Sequence, residues 1–230
     1  MKLTPKQLSQ CQFGAYCAIA AGLFYSILTI FAFLLPSSIA TYMATEQYFA
    51  DFKDIKLMFL SLKTFHICAN LAMIGVVSAF LTLCRDNNYG IVSWCTIIAI
   101  IGYSIGIFQN IQDISIIPHL ATQYEQGSIA IQQTILSLGV SNPVLFIMSL
   151  GLPGIWFIAV SLIALNNKSI PKLLVILGLL WGVGNILTAI AHAFIILELI
   201  YLVAAGAFIF APLWGFMEGF YLLTIYHKYK

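Results

Sequence analysis

Six stretches of this chain, 12–35, 57–84, 91–111, 144–165, 173–197 and 201–226, are each about as long as a bilayer core is thick and nearly free of charge. About 20 mostly apolar residues carry a helix across the hydrocarbon layer. Lipid offers no hydrogen bonds, so a segment that spans it must satisfy its own backbone groups, and an isolated stretch does so only as a helix. This constraint decides the fold class. The sequence predicts an all-α, polytopic bundle of six transmembrane helices, formed by residues 1–230 as a single integral membrane domain.

Composition agrees with immersion. The chain is 61% hydrophobic and 8% charged, whereas a soluble domain carries about 25% charged residues to face water. The formal charge of +2, with no basic run, excludes nucleic acid as an expected partner. Cys11, Cys17, Cys68, Cys84 and Cys95 form no CxxC pair and fall mostly in apolar stretches, where they read as small packing residues. The apolar run that follows Lys2 and Lys6 is much longer than the ~7–15 residues of a signal-peptide core, so it is expected to be a retained helix.

The breaks between segments carry turn chemistry: Pro36 after the first, Arg85-Asp86-Asn87-Asn88 after the second, and Asn166-Asn167-Lys168 with Pro171 after the fourth. Basic residues set the direction, because Lys and Arg are retained in the cytoplasm. One set of helix ends holds Lys2, Lys6, Arg85, Lys168, Lys172, Lys228 and Lys230; the other holds Lys53 and Lys56, with Lys63 just inside the second span. Both termini are therefore expected in the cytoplasm. Two long outer loops follow, 37–56 and 118–143. The first mixes Tyr42, Tyr48, Phe49 and Phe52 with Glu46, Asp51 and Asp54, the pattern of an interfacial cap. Cap and ordinary loop remain open, and either loop has room for a short helix.

Helices in lipid associate through close backbone approach and a few polar contacts. Gly102/Gly106, Gly178/Gly182 and Gly215/Gly219 give GxxxG spacing on the third, fifth and sixth spans, and Ala18/Gly22 a similar step on the first. These are expected to be packing seams, with a homo-oligomer as the alternative use. Pro153 and Pro212 lie inside spans, where each frees the carbonyl four residues earlier, at Ser149 and Phe208.

Ionisable residues within spans are expensive and mark candidate sites. Counted at ~1.5 Å per residue from the cytoplasmic ends, His66 lies ~28 Å up, Asp113 ~36 Å and His192 ~30 Å, all near the outer edge of the core. Lys63, Gln109, Asn110 and Gln112 share that level. Asn70 and Asn185 fall ~20–22 Å up and Glu218 only ~15 Å. Spacings of three and four place polar groups on common helix faces: His66 with Asn70, Asn110 with Asp113, Asn185 with Thr188 and His192, Glu218 with Tyr221. The pattern predicts an outward-opening polar cavity for a small or lipophilic ligand, lined by His66, Asn70, Asn110, Asp113, Asn185 and His192 with Glu218 as its floor. Pairwise neutralisation of the same groups is the competing reading.

No HxxxH or HExxH pair organises a zinc site, and His66 with His192 alone is thin support for haem, so no metal or cofactor is assigned. Acid–base chemistry by Glu218 or Asp113 on a lipid or isoprenoid is the enzymatic alternative. A small transporter or a structural partner subunit is the other, although convincing repeats and broken helix pairs are missing. Membrane lipid is the one partner the composition itself requires.

The first span contains Ala21-Gly22-Leu23-Phe24-Tyr25, the second follows a long outer loop, and a later stretch reads Ile170-Pro171-Lys172-Leu173-Leu174-Val175-Ile176-Leu177-Gly178. In these features the chain resembles a bacterial six-helix membrane family catalogued as domain of unknown function 4386. The resemblance implies a helical protein of the bacterial inner membrane, and it carries no activity and no catalytic residue with it.

Overall fold

Thr4 opens the first helix. Its hydroxyl accepts the Gln7 N–H at 3.3 Å while its own N–H donates to the Gln7 side chain at 2.8 Å, a reciprocal cap ahead of Pro5 at the first helical position. From there the chain is helix almost throughout. The computed structural model describes residues 4–40, 44–83, 89–140, 142–165 and 170–230. Lys2, Tyr42, Cys84 and the turns at 85–88 and 166–168 lie outside the described residues. Among those described there are eight helices: α1 (Pro5–Leu34), α2 (Ser37–Ala40), α3 (Glu46–Leu83), α4 (Tyr89–Gln126), α5 (Ile129–Leu138), α6 (Pro143–Leu165), α7 (Lys172–Ala193) and α8 (Leu197–Tyr229). Six are long and apolar enough to cross a membrane. The chain is an integral, multi-pass membrane protein.

The six spans close into a ring in which each packs on its neighbours in sequence and α8 returns to α1. Contacts at the glycines show that every neighbouring pair is antiparallel. Gly215 of α8 faces Gly22 and Ala18 of α1, while Gly219 faces Ala15 and Ile19. Gly14 of α1 abuts Ala79 of α3, and Gly75 of α3 abuts Cys17. Gly106 of α4 receives Asn70 of α3 and Ser149 of α6, and Gly102 receives Pro153. Gly154 of α6 meets Gly182 of α7, and Gly178 of α7 meets Ser161 and Trp214. The three GxxxG steps are thus closed by helices of the same chain. An up-and-down ring of six leaves both termini on one side.

Hydroxyls facing the lipid or the seams are satisfied within their own helices. Ser26 donates to the Gly22 carbonyl, Thr29 to Tyr25, Ser78 to Ile74 and Thr188 to Gly184, all at 2.7–2.8 Å. The described cysteines Cys11, Cys17, Cys68 and Cys95 are free thiols. The middle of the ring is filled by aromatic rings. Phe157 packs 4.2 Å from Trp181 and 4.9 Å from Trp214, Trp156 lies 6.3 Å from Trp214, and Trp156 donates its indole N–H to Thr96 at 3.3 Å. Met73, Val76 and Val77 of α3 complete this plug.

The connections at the end of the bundle away from the termini, the end expected to face outward, differ from the expected loops. Helix α3 begins at Glu46 and α4 runs on through Pro118 to Gln126. Each has 38 residues, or about 57 Å of helix, against about 34 Å for the 23 residues of α6. Both therefore project about 22 Å past the outer end of α6. Their projecting arms pack together and are capped by α2 and α5, forming a turret. Its core holds Tyr48, Phe52, Phe59, Ile117, Ile135 and Val140, all buried. Hydropathy averaged for lipid reads such a segment as a loop because its outer face is charged; the helix forms because its inner face is aromatic at helical spacing. Pro118 bends or interrupts one backbone bond, and the arm continues beyond it.

Candidate functional site

The base of the turret holds a buried ion pair. Lys63 on α3 donates to the Asp113 carboxylate on α4 at 2.6 Å, with side-chain exposures of 3% and 4%. The two face each other because α3 and α4 are antiparallel neighbours whose residues pair in register: Asn70 meets Gly106, Lys63 meets Asp113, and Lys53 meets Glu125. His66 is one turn below Lys63 on the same helix and partly buried. One further turn inward, Asn70 lies in the notch left by Gly106, where an added Cβ would come within 2.8 Å of its amide nitrogen. Asn110 donates to the Gly106 carbonyl at 2.6 Å. Lys63, His66, Asn70, Asn110 and Asp113 therefore form one polar belt between α3 and α4, and Gln109 is buried beside it.

The other sequence-predicted residues lie in different parts of the ring. His192 on α7 holds the Thr188 carbonyl through Nδ1 at 3.1 Å, and its ring centroid lies 4.3 Å from that of Phe146 on α6. Asn185 and Thr188 are buried on the same face of α7. In the order of the ring, α6 lies between α7 and α4. Glu218 on α8 is fully buried, and neither carboxyl oxygen has a hydrogen-bond partner. Its neighbour Gly219 abuts Ala15, and Gly14 abuts Ala79, sixteen residues inward of Lys63. Glu218 is thus about 24 Å from the Lys63–Asp113 pair along the bundle. Among the described residues no three His, Cys, Asp or Glu side chains gather closely enough to hold a metal ion, so His66, Asp113 and His192 are not a ligand trio.

Above the belt, on the outer flank of the turret, lies a groove of about 400 Å³ that the sequence did not reveal. The arms of α3 and α4 form its walls and Gln132 of α5 closes one end by donating to the Tyr124 carbonyl at 2.9 Å. Phe49 and Tyr124 stack at 4.4 Å along its apolar wall. Lys53 reaches Glu125 across it at 2.8 Å, a pair that is largely exposed at 71% and 60%. Glu46 and Lys56 complete the charged lining. A signal for the groove does exist in sequence: Phe49 and Lys53, and Phe52 and Lys56, are each four residues apart, so aromatic and basic groups adjoin on the arm of α3. The arrangement offers an aromatic wall, a replaceable surface ion pair and an open mouth, which together suit a ligand with one apolar and one charged end.

A family model described as Domain of unknown function (DUF4386) matches residues 20–225. No curated protein and no solved structure matches the chain.

Proposed function

The chain belongs to the DUF4386 family, and we propose that it is a protein of the bacterial inner membrane, termini in the cytoplasm, that binds a small amphipathic ligand on the membrane's outer side. The bias of Lys and Arg toward the ends that include both termini supports this orientation. The observation that carries the reading is the 400 Å³ groove between the projecting arms, within the volume range of small-molecule sites. The belt of Lys63, His66, Asn70, Asn110 and Asp113 serves as its foundation: the buried ion pair locks the two arms at their base, so the walls keep a fixed separation. Asn185, His192 and Glu218 are structural in this reading.

Filling the groove tests it. Ala50 is exposed and lines the groove, so Ala50→Trp occupies the space without disturbing packing. Mass spectrometry of the protein purified in mild detergent is expected to find an amphiphile with the parent chain and to lose it with Ala50→Trp. Equal recovery from both would refute the reading.

One observation favours a second reading, acid–base chemistry on a lipophilic substrate: the unpartnered, fully buried carboxyl of Glu218. Such a group is expensive unless it serves a purpose. Glu218→Gln would then abolish turnover of an added lipid while leaving the fold intact; unchanged products would remove the enzyme from consideration. Asp113, committed to Lys63, is not the acid of that scheme.

A further inference from the structure

We infer that the groove receives the phosphate-bearing headgroup of a membrane phospholipid, with Lys56 as its anion contact; this inference rests on the groove reading above and names its ligand class.

The first ground is height. Twenty-three residues counted outward from Leu83 match the length of α6 and end at residue 61, so Lys56 stands about 7 Å beyond the outer end of the spans. Pro118, counted likewise from Tyr89, stands about 10 Å beyond it. The headgroup layer adds about 5–7 Å to each side of the hydrocarbon core. The lower mouth of the groove therefore opens at the level of lipid headgroups, and a lipid can enter it without leaving the bilayer.

The second ground is charge. Lys53 and Lys56 are three residues apart and share a helix face. Among the described residues the Lys–carboxylate pairs are Lys53–Glu125 and Lys63–Asp113, which leaves Lys56 as the cation in the groove without a carboxylate. It is also the cation nearest the membrane. A phosphate at the mouth meets Lys56 first and lies below the carboxylates of Glu46 and Glu125, which sit about 21–22 Å past the spans. The third ground is the wall: Phe49, stacked on Tyr124, and Pro118 present apolar surface to a glycerol backbone. A soluble phosphate would gain nothing from that wall. The volume suffices for a headgroup and glycerol, with acyl chains remaining in the bilayer.

The experiment uses the full chain in mild detergent with three probes: dioctanoyl phosphatidylglycerol, dioctanoylglycerol and inorganic phosphate. Binding is read by native mass spectrometry. Phosphatidylglycerol is expected to bind the parent chain, and Lys56→Gln to weaken it about tenfold, the size of one lost charge-assisted contact. Dioctanoylglycerol binding stays unchanged in Lys56→Gln, Ala50→Trp removes both lipids, and inorganic phosphate does not compete. Lys56 is exposed, so the substitution leaves the melting temperature unchanged. Equal phosphatidylglycerol binding by the parent chain and Lys56→Gln, with Ala50→Trp still blocking it, overturns the headgroup assignment and leaves the groove standing. Competition by inorganic phosphate overturns the lipid source. Lipid binding untouched by Ala50→Trp overturns the groove reading itself.

Discussion

Removing one member of the Lys63–Asp113 pair is the sharpest test of how the turret is held. At 3% and 4% side-chain exposure, neither charge is reached by water, and Lys63 meets Asp113 at 2.6 Å. Asp113→Asn strips the ammonium of its counter-charge without changing the volume of the site. Breaking a buried pair in this way costs about 3–5 kcal/mol, because the remaining charge is uncompensated. On the scale of soluble chains of this size, at about 2–4 °C per kcal/mol, the melting temperature falls by roughly 6–20 °C. Lys63→Met is expected to cost a similar amount by orphaning Asp113. The double variant Lys63→Met/Asp113→Leu removes both charges and replaces them with apolar volume, and is expected to recover most of the loss. The assay is thermal unfolding in one detergent, read as a double-mutant cycle. Single variants that lose less than about 1 kcal/mol, as exposed pairs do, would show that water enters the base of the turret. A double variant whose loss equals the sum of the two single losses would show that the side chains act independently. Either result refutes the claim that this pair locks the arms.

Three further outcomes follow from the packing. Gly219→Ala places a Cβ 2.5 Å from Ile19 and 3.1 Å from the Ala15 carbonyl, so overpacking is expected to destabilise the α1–α8 seam by about 1–3 kcal/mol; Gly90→Ala, with nothing within 4 Å of the new Cβ, should gain up to about 1 kcal/mol from helix propensity, and melting curves compare the two. Glu218→Met removes a buried carboxyl with no hydrogen-bond partner at similar volume, so the melting temperature should rise by the equivalent of about 1–3 kcal/mol; a fall would mean that the carboxyl is paired in the membrane. Ser128→Cys at the top of the turret should react with a membrane-impermeant maleimide in intact cells, and Lys228→Cys only after permeabilisation, both measured over the background of the natural thiols; the opposite pattern inverts the orientation.

How much of this was legible in sequence depends on which physical quantity each residue reports. Hydropathy reports compatibility with lipid, and it located six spans because nothing else explains runs such as 144–165. It misjudged 46–56 and 118–126, where helix formation rests on an aromatic face at helical spacing and the opposite face is charged. Tyr48, Phe52 and Phe59 already carried that face, four and seven residues apart, but a lipid scale averages it against Asp51, Lys53 and Asp54. The turn at Ile195 also moved a boundary: a backbone φ of 55° there ends α7 at Ala193, although the apolar run continues to Leu197.

The site shows the same division. Depth along each helix was computable, and it grouped Lys63, His66 and Asp113 near the outer edge of the core. Depth says nothing about azimuth or about which helices touch, so His192 on α7 and Glu218 on α8 were gathered with the α3–α4 residues on depth and helix face alone. Connectivity held the missing information. Consecutive spans joined by a short turn are antiparallel neighbours, so residues equally far from that turn face one another. Lys63 lies twenty residues before Leu83 and Asp113 twenty-four after Tyr89, one helical turn out of step, within reach of a long lysine side chain. Asn70 and Gly106 obey the same rule at thirteen and seventeen. Registering the hairpin before measuring depth would have paired the charges from the sequence, and would have shown that the costliest groups in α3 and α4 neutralise each other, leaving the unpaired Glu218 as the exception that needs a cause.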